Sequence, residues 1–427
     1  MPLNDAQLAY ALRFVRNSVG GSVSRLDLDA AAWQAVFDAL SRREERESAV
    51  RDEWGNWDWI SIDVDRRHEY RTPWLDRNLA AHLNIDTVAR PRWPDGKRFA
   101  LCLTHDVDSV SHRRTPFASV VEAVRRLGGD GTARERSFML VRACGKYVLQ
   151  APRLRGGPDP IWHYEDWLRV EAQYGFRSTF FGFPEHVAKP HACDADYRMR
   201  DRVVFDRVRM TAGEMLRRIA ESGWEVGVHG SFHSALDATI LRDEREQIER
   251  AIGADVRSVR QHYLHYDAAR TPAVQYAAGL YVDSTLGFNG GIGFRSGTAL
   301  PYWCWDWSEG DELPLLEIPQ HVMDGAVFRD FAPGGADDGL ARVLRLVDDV
   351  QAVGGCLTLN WHPEYLNHSR YWDMYVAVLE HAHRRNAWGC SVRDIYDWWL
   401  RRDRMLDGAH AGGQRTVDIR SSHARSG

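Results

Sequence analysis

The sequence predicts an α/β protein whose core is a mainly parallel sheet or a barrel. Short apolar runs recur along the chain and are separated by segments with helical periodicity. This alternation is typical of parallel strands that are joined by crossover helices. The predicted strands are 99–105, 178–183, 224–230, 256–264, 315–322, 355–361 and 389–392.

Three of the intervening helices have clear sequence boundaries. The helix at 212–222 follows Thr211, and Glu214 stands three residues later, which is the spacing of a capping box. The helix near 272–278 has proline at its first position. Apolar residues in 338–353 recur at i, i+3, i+4 and i+7 before two glycines, which predicts an amphipathic helix.

The chain of 427 residues is long enough for one large domain with additions, or for two domains. We expect a mainly helical or irregular N-terminal extension over 1–95 and the main domain over 96–402. An inserted region is predicted at about 110–160. Residues 403–427 are rich in Gly, Ser, Arg and His without apolar periodicity, and predict a disordered tail.

Composition and charge argue against several functional classes. The net charge is −5 with acids and bases interspersed, so the chain lacks the basic footprint of a nucleic-acid-binding protein. No apolar run approaches membrane-spanning length, and the first residues do not resemble a signal peptide. The six cysteines are scattered, as buried thiols of a reducing compartment would be. We therefore expect a cytoplasmic protein.

Tryptophan is unusually abundant, with 17 residues, and clusters at 54–60 and 302–307. Core packing explains such clusters in most proteins. Sugar rings offer apolar C–H faces, however, so the clusters could also supply aromatic platforms for a carbohydrate.

Two aspartates, Asp106 and Asp108, close the first predicted strand. Residues i and i+2 of a strand point to the same face, so both carboxylates should project together, while His105 faces the opposite way. Two like charges at this distance are unfavourable unless a cation lies beside them. The alternative is a pair of solvent-facing acids at a strand end.

Histidines and an arginine follow at the ends of later strands. His229 and His233 are spaced i, i+4, so on a helix or tight turn both imidazoles would share a face, as in helical metal sites. Otherwise they are unrelated loop residues. Arg260 lies in the next strand and needs a carboxylate partner, which the aspartate pair offers. His362 follows the strand at 355–361 and can act as acid or base near neutrality.

The order of these motifs along the chain resembles the polysaccharide deacetylase family, the NodB-homology carbohydrate esterases. The resemblance implies a distorted (β/α)7-type barrel with the N-terminal extension and the inserted region added to it. It also implies one divalent metal ion held by Asp108, His229 and His233. Zinc suits this ligand set, and cobalt, nickel and iron fit similar sites.

The same resemblance implies catalytic roles for three residues. Asp106 would be the general base, Arg260 would orient it, and His362 would be the general acid. Three further residues are expected on the substrate side: Tyr263, Asp283 and Asp324. Asp324 is also a candidate for the residue that tunes His362. No spacing gives His262 or His265 ligand geometry, so both are expected to pack or to line the substrate.

The predicted activity is the metal-dependent removal of an N-acyl group, most simply acetyl, from an amino sugar or glycoside. Its partner would be an N-acylated amino sugar, a nucleotide- or lipid-linked sugar, or an oligosaccharide. Three alternatives stay open: an amide hydrolase with a non-sugar substrate, a catalytically inactive sugar-binding protein, and a non-heme iron oxygenase with a two-histidine, one-carboxylate triad. The sequence predicts no oligomeric state.

Overall fold

The computed structural model describes most of the chain. The described residues are 2–19, 28–84, 92–111, 159, 161–195, 197–330, 336–365 and 369–411, with isolated helical residues between 120 and 145. Most of the predicted insertion at 110–160 therefore lies outside the described residues. None of the helices in these ranges is long and apolar enough to cross a membrane.

Twelve strands are present in the described residues, ten of them in one sheet and two in a separate hairpin. The strands are β1 (Phe99–Val107), β2 (Thr179–Gly182), β3 (Arg202–Phe205), β4 (Val208–Thr211), β5 (Glu225–Gly230), β6 (Ser258–Gln261), β7 (Val282–Asp283), β8 (Tyr302–Asp306), β9 (Asp311–Glu317), β10 (Val322–Met323), β11 (Cys356–Asn360) and β12 (Ala387–Cys390). All seven predicted strands overlap one of these.

The large sheet has the order β10-β11-β1-β2-β5-β6-β7-β9-β8, and its pairs are parallel except for β8 with β9. β12 lies beside the first half of β1, where Phe99 is in register with Ala387. β2 lies beside the second half, where Thr104 is in register with Thr179. β1 thus lies inside the sheet and pairs with three strands, β2, β11 and β12.

The sheet curls because β9 and β10, which lie near opposite ends of its strand order, are joined by a very short link. Only residues 318–321 separate β9, which pairs with β7, from β10, which pairs with β11. Ile318 donates its backbone N–H to Asp283 and His321 donates to Thr358, so the link bonds to both sides. Four residues reach at most about 14 Å. The predicted α/β fold is confirmed as a curled, mostly parallel sheet that forms a distorted half-barrel.

Helices surround this sheet. They are α1 (Asp5–Val19), α2 (Ala30–Leu40), α3 (Arg43–Glu47), α4 (Val64–Glu69), α5 (Trp74–His82), α6 (Tyr164–Gln173), α7 (Ala212–Glu221), α8 (Ala238–Ile252), α9 (Thr271–Ala277), α10 (Asp324–Asp330), α11 (Ala336–Val353), α12 (Ser369–Arg384) and α13 (Val392–Ala411). The three helices with sequence-defined boundaries are α7, α9 and α11, and α7 has the capping box between Thr211 and Glu214. α13 continues to Ala411, so the boundary predicted at 403 falls inside a helix.

Alternate residues of β1 divide the core into two parts. Phe99, Leu101 and Leu103 pack with the outer helices, whereas Ala100 and Cys102 point into the curled sheet. The N-terminal helices α1 and α2 contribute to this second cluster, and the Tyr10 hydroxyl donates to the Trp303 carbonyl at 2.7 Å. The N-terminal extension is therefore packed on the sheet. The 302–307 aromatic cluster includes β8, which is buried in that core, so packing explains it.

Candidate metal and hydrolytic site

Three strands of the curled sheet place polar pairs, spaced i and i+2, at their carboxyl ends. β1 supplies Asp106 and Asp108, β6 supplies Arg260 followed by His262, and β11 supplies Asn360 followed by His362. Side chains two residues apart on a strand share a face. The contacts described next show that the six side chains form an inner layer and an outer layer: Asp106, Arg260 and Asn360 are inner, and Asp108, His262 and His362 are outer.

The outer layer contains a cluster with metal-ligand chemistry. Ligand atoms of Asp108, His229 and His262 all lie within 4.8 Å of one another. Asp108 Oδ1 lies 3.3 Å from His229 Nε2 and 3.7 Å from His262 Nε2. Within the described residues, neither Asp108 Oδ1 nor His229 Nε2 makes a hydrogen bond, although both atoms are buried. One carboxylate and two imidazoles are a donor set that suits a divalent metal ion.

The tautomer of His229 supports this assignment. Its Nδ1 lies 2.8 Å from the carbonyl oxygen of Arg260, which can only accept a hydrogen bond. Nδ1 therefore carries the proton, and in the neutral ring Nε2 presents its lone pair toward Asp108. Metal-binding histidines are oriented in this way by a partner on the other ring nitrogen.

The structure places a different third residue beside Asp108 and His229 from the one expected from the sequence. β5 ends at Gly230, and His233 opens a separate 3-10 turn, His233–Leu236, so the i, i+4 pair does not lie on one helix. The His233 ring lies 5.4 Å from the His191 ring. His262, to which the sequence analysis gave no ligand role, completes the group of three instead. A ligand role for His233 stays a prediction.

A buried carboxylate lies behind His262. Asp194 Oδ1 is 3.9 Å from His262 Nδ1, and the Asp194 carboxylate accepts backbone N–H groups from His191 and Phe232 at 2.7 and 2.9 Å. Burial alone would lower the pKa of His262, but Asp108 and Asp194 raise that pKa to about 9. His262 thus links two carboxylates, and a cation that binds its Nε2 has to displace the proton.

The inner layer holds Asp106 as an ionised carboxylate. Arg260 Nη1 lies 3.2 Å from Asp106 Oδ1, and the Asn360 amide donates to Oδ2 at 2.7 Å. Burial would raise the pKa of Asp106, but the Arg260 guanidinium in first place, and then His229, lower it. Arg260 is held by Thr104 and by Ser284 as well. The expected contact between Arg260 and Asp106 is present.

His362 lies on the other side of Asp108 and is held from behind by Asp324. Its Nδ1 donates to Asp324 Oδ1 at 2.9 Å, and its backbone N–H donates to Oδ2 at 2.7 Å. Its Nε2 lies 3.7 Å from Asp108 Oδ2 and 4.0 Å from Asp106 Oδ2. Burial would lower the pKa of His362, but Asp324 first, and then Asp108 and Asp106, raise it well above its usual range. Asp324 is a candidate both as a substrate-side residue and as the residue that tunes His362. It is wholly buried and contacts His362, which fits the second role.

The other two substrate-side candidates have different surroundings. Asp283 is wholly buried on β7, accepts hydrogen bonds from Thr285 and is in register with Glu317. The structure therefore places it inside the sheet and not at the edge of the site. Tyr263 directly follows His262 and is half-buried, with its ring 5.2 Å from the His262 ring.

The solved structures that resemble this chain include polysaccharide deacetylases. The structure of a polysaccharide deacetylase from Mycobacterium smegmatis has 19% identity and a TM-score of 0.43, over 77% of this chain and 96% of the other. One from Pseudomonas aeruginosa has 16% identity and a TM-score of 0.44, over 73% and 94%. The allantoinase Puue has 15% identity and a TM-score of 0.45, over 73% and 93%.

Sequence comparisons add no further relative. No family model matches the chain, and no curated protein does. At these identities and TM-scores the structural likenesses do not decide a function, which has to come from the side chains of this chain.

Proposed function

We propose that the protein is a metal-dependent hydrolase that removes an N-acyl group, acetyl in the simplest case, from an amino sugar. One observation carries the proposal. An ionised carboxylate, Asp106, and a histidine of raised pKa, His362, both lie beside a carboxylate–histidine–histidine group suited to a divalent ion. A base, an acid and a metal-type donor set are the groups that amide hydrolysis needs.

The metal ligands in this proposal are Asp108, His229 and His262. A divalent ion held there would polarise the amide carbonyl and lower the pKa of water toward neutrality. Asp108 is the most accessible of the three, with 26% of its side chain exposed, so the group opens toward solvent on its side. A substrate carbonyl can approach from that side.

The remaining residues handle protons. As water oxygen bonds to the carbonyl carbon, Asp106 accepts a water proton, and Arg260 with Asn360 holds its carboxylate in place. As the C–N bond breaks, His362 Nε2 gives its proton to the departing amine. Asp324 fixes the His362 ring with Nε2 toward the site. The products are a carboxylate and a free amine.

The sugar part of the proposal comes from the resemblance of the four motifs to polysaccharide deacetylases. We therefore test it separately from the amide chemistry. Acetate release is measured from free, nucleotide-linked and oligomeric N-acetylated amino sugars, and from N-acetylated amino acids as the non-sugar comparison. Each assay is repeated with zinc, cobalt, nickel and iron(II).

One variant and its control test the role of Asp106 as the base in this assay. Asp106→Asn should lower kcat about 10²–10⁴-fold while metal binding is retained, because it removes only the base. Asp255→Asn, whose side chain is 78% exposed, is the matched control and should leave kcat unchanged. No acetate from any sugar, with metal bound and amino-acid amides hydrolysed, would refute the sugar assignment. No hydrolysis of either class would refute the proposed activity.

A further inference from the structure

Part of the N-terminal extension lies at the edge of the candidate site. The Asn56 side chain accepts the backbone N–H of Tyr266 at 3.0 Å and donates to the carbonyl of Tyr263 at 3.4 Å. These bonds fix residues 52–60 next to the loop that carries His262. The extension therefore contacts the site directly, although it precedes the first strand of the sheet.

The segment has its own ordered turn, which presents Trp54. Asp52 Oδ1 accepts the backbone N–H groups of Trp54 and Asn56, both at 2.9 Å. Gly55 has a φ of +80°, a left-handed conformation that glycine adopts readily. A backbone bridge between Arg51 and Trp57 closes the turn. Trp54 is thus held in a defined position.

Aromatic rings form a continuous path from the metal-type group to Trp54. The rings of His229 and His262 are 4.9 Å apart, those of His262 and Tyr263 are 5.2 Å apart, and those of Tyr263 and Trp54 are 4.7 Å apart. The histidines are buried, whereas Tyr263 and Trp54 are both half-buried. The path leads from the reacting groups outward to two partly exposed aromatic residues.

The backbone beneath Tyr263 is strained. Tyr263 and Leu264 have φ values of 59° and 49°, and non-glycine residues in the left-handed region are uncommon. Asn56 and Asn289 both donate to the Tyr263 carbonyl and so support this conformation. Strain that is held by surrounding residues often marks a functional position. Here it sets Tyr263 against Trp54.

Core packing explains the other tryptophans of the same run, but not Trp54. Trp57 is buried with its ring 6.0 Å from the Tyr70 ring, and Trp59 packs on Phe288 at 4.4 Å. Trp54 contacts Tyr263 and, at 6.3 Å, His191 instead, and does not belong to that cluster. Its half-buried ring at the edge of the site needs a different explanation.

We propose that Trp54, supported by Tyr263, is a stacking surface for a pyranose ring of the substrate, so that residues 52–60 determine affinity for saccharides. The apolar C–H face of such a ring complements the negative face of an indole. This inference rests on the proposed function and extends it, because it assigns sugar recognition to the N-terminal extension. A substrate with more than one ring reaches both the hydrolytic groups and Trp54.

The test compares wild type with Trp54→Ala, Trp54→Phe and Trp388→Ala in the metal-loaded protein. Trp388 is half-buried and lies on β12, in register with Ala100 at the opposite end of β1 from the site. KM and kcat are measured with mono- and disaccharides of N-acetylglucosamine and with an N-acetylated amino acid. Sugar binding without turnover is measured in an Asp106→Asn background by calorimetry.

We expect Trp54→Ala to raise KM for the disaccharide about tenfold with kcat nearly unchanged, since one stacked aromatic contact is lost. Trp54→Phe should restore most of the affinity, and Trp388→Ala should behave as wild type. Wild-type KM in Trp54→Ala, with sugars still hydrolysed, would overturn the inference and leave the proposed function intact. If no sugar is hydrolysed, binding decides: loss of sugar binding in Trp54→Ala supports the inference, and absence of binding in wild type overturns it.

Discussion

Replacing His262 should weaken metal binding strongly, and replacing His233 should not. In the proposed metal group, His262 is one of three ligands with Asp108 and His229, whereas His233 lies in a separate turn. Loss of an outer partner of a ligand weakens metal binding about 10–100-fold. Loss of a direct ligand should exceed that, so we expect the zinc Kd of His262→Ala to rise about 100-fold or more, or about 2.7 kcal/mol.

The assay is a competition titration. Metal-stripped wild type, His262→Ala and His233→Ala are titrated with zinc against a chromophoric chelator at pH 7.5, and circular dichroism checks that each variant is folded. Both histidines are replaced in the same way, so His233→Ala is the matched control. If His262→Ala has the wild-type zinc Kd and His233→Ala binds zinc more weakly, the assignment of His262 as third ligand is refuted. The ligand set expected from the sequence, with His233, is then restored. Wild-type affinity in both variants would place the metal elsewhere.

Three further perturbations separate the supporting residues. Asp194→Asn should weaken zinc binding about 10–100-fold, because Asp194 faces the second nitrogen of His262, and an unchanged Kd would exclude that orienting role. Asp324→Ala should retain zinc but lower kcat about 10²-fold or more, because His362 loses its hydrogen-bond partner, and an unchanged kcat would show that His362 is not the acid. Burial raises the pKa of Asp283 from 3.8 to about 6, so its protonation stabilises the fold fully below about pH 4 and this contribution is lost as pH rises through 6. Urea unfolding from pH 4 to 8 should show wild type losing more stability than Asp283→Asn, and parallel curves would contradict this.

Strand positions could be predicted from the sequence because buried parallel strands are continuous apolar runs with distinct ends. The inward direction of Asp106 followed from strand alternation, and the same rule sent His105 outward. His105 indeed contacts the Trp361 carbonyl at 2.7 Å and Glu171 at 2.8 Å, on the helix side of the sheet. The two-residue period of a strand was therefore enough to predict which side chains of β1 point into the site.

The sequence analysis did not bring His262 next to Asp108 and His229, because it relied on the i, i+4 spacing of a helix or tight turn. His229 lies on a strand and His233 in a later 3-10 turn, so i, i+4 spacing says nothing about a shared face. Strand alternation continued one residue past β6, to the start of the 3-10 turn His262–Leu264, would have placed His262 on the side of Arg260, as it places Asp108 with Asp106. The same rule would have found Asn360, two residues before His362. Asp194 has no such signal, because tertiary packing alone brings its loop to the site.

The pairing of β1 with three strands has a consequence for how the protein folds. β1 is the first strand of the sheet along the chain, yet it pairs with β11 and β12, which come last. Pairing between such distant segments is slow, because a long loop has to close before the contacts form. The metal-type residues Asp108, His229 and His262 all lie at strands made earlier, β1, β5 and β6, which are linked through β2. Asn360, which holds Asp106, and His362, the proposed acid, join them only when β11 has been made and has paired with β1.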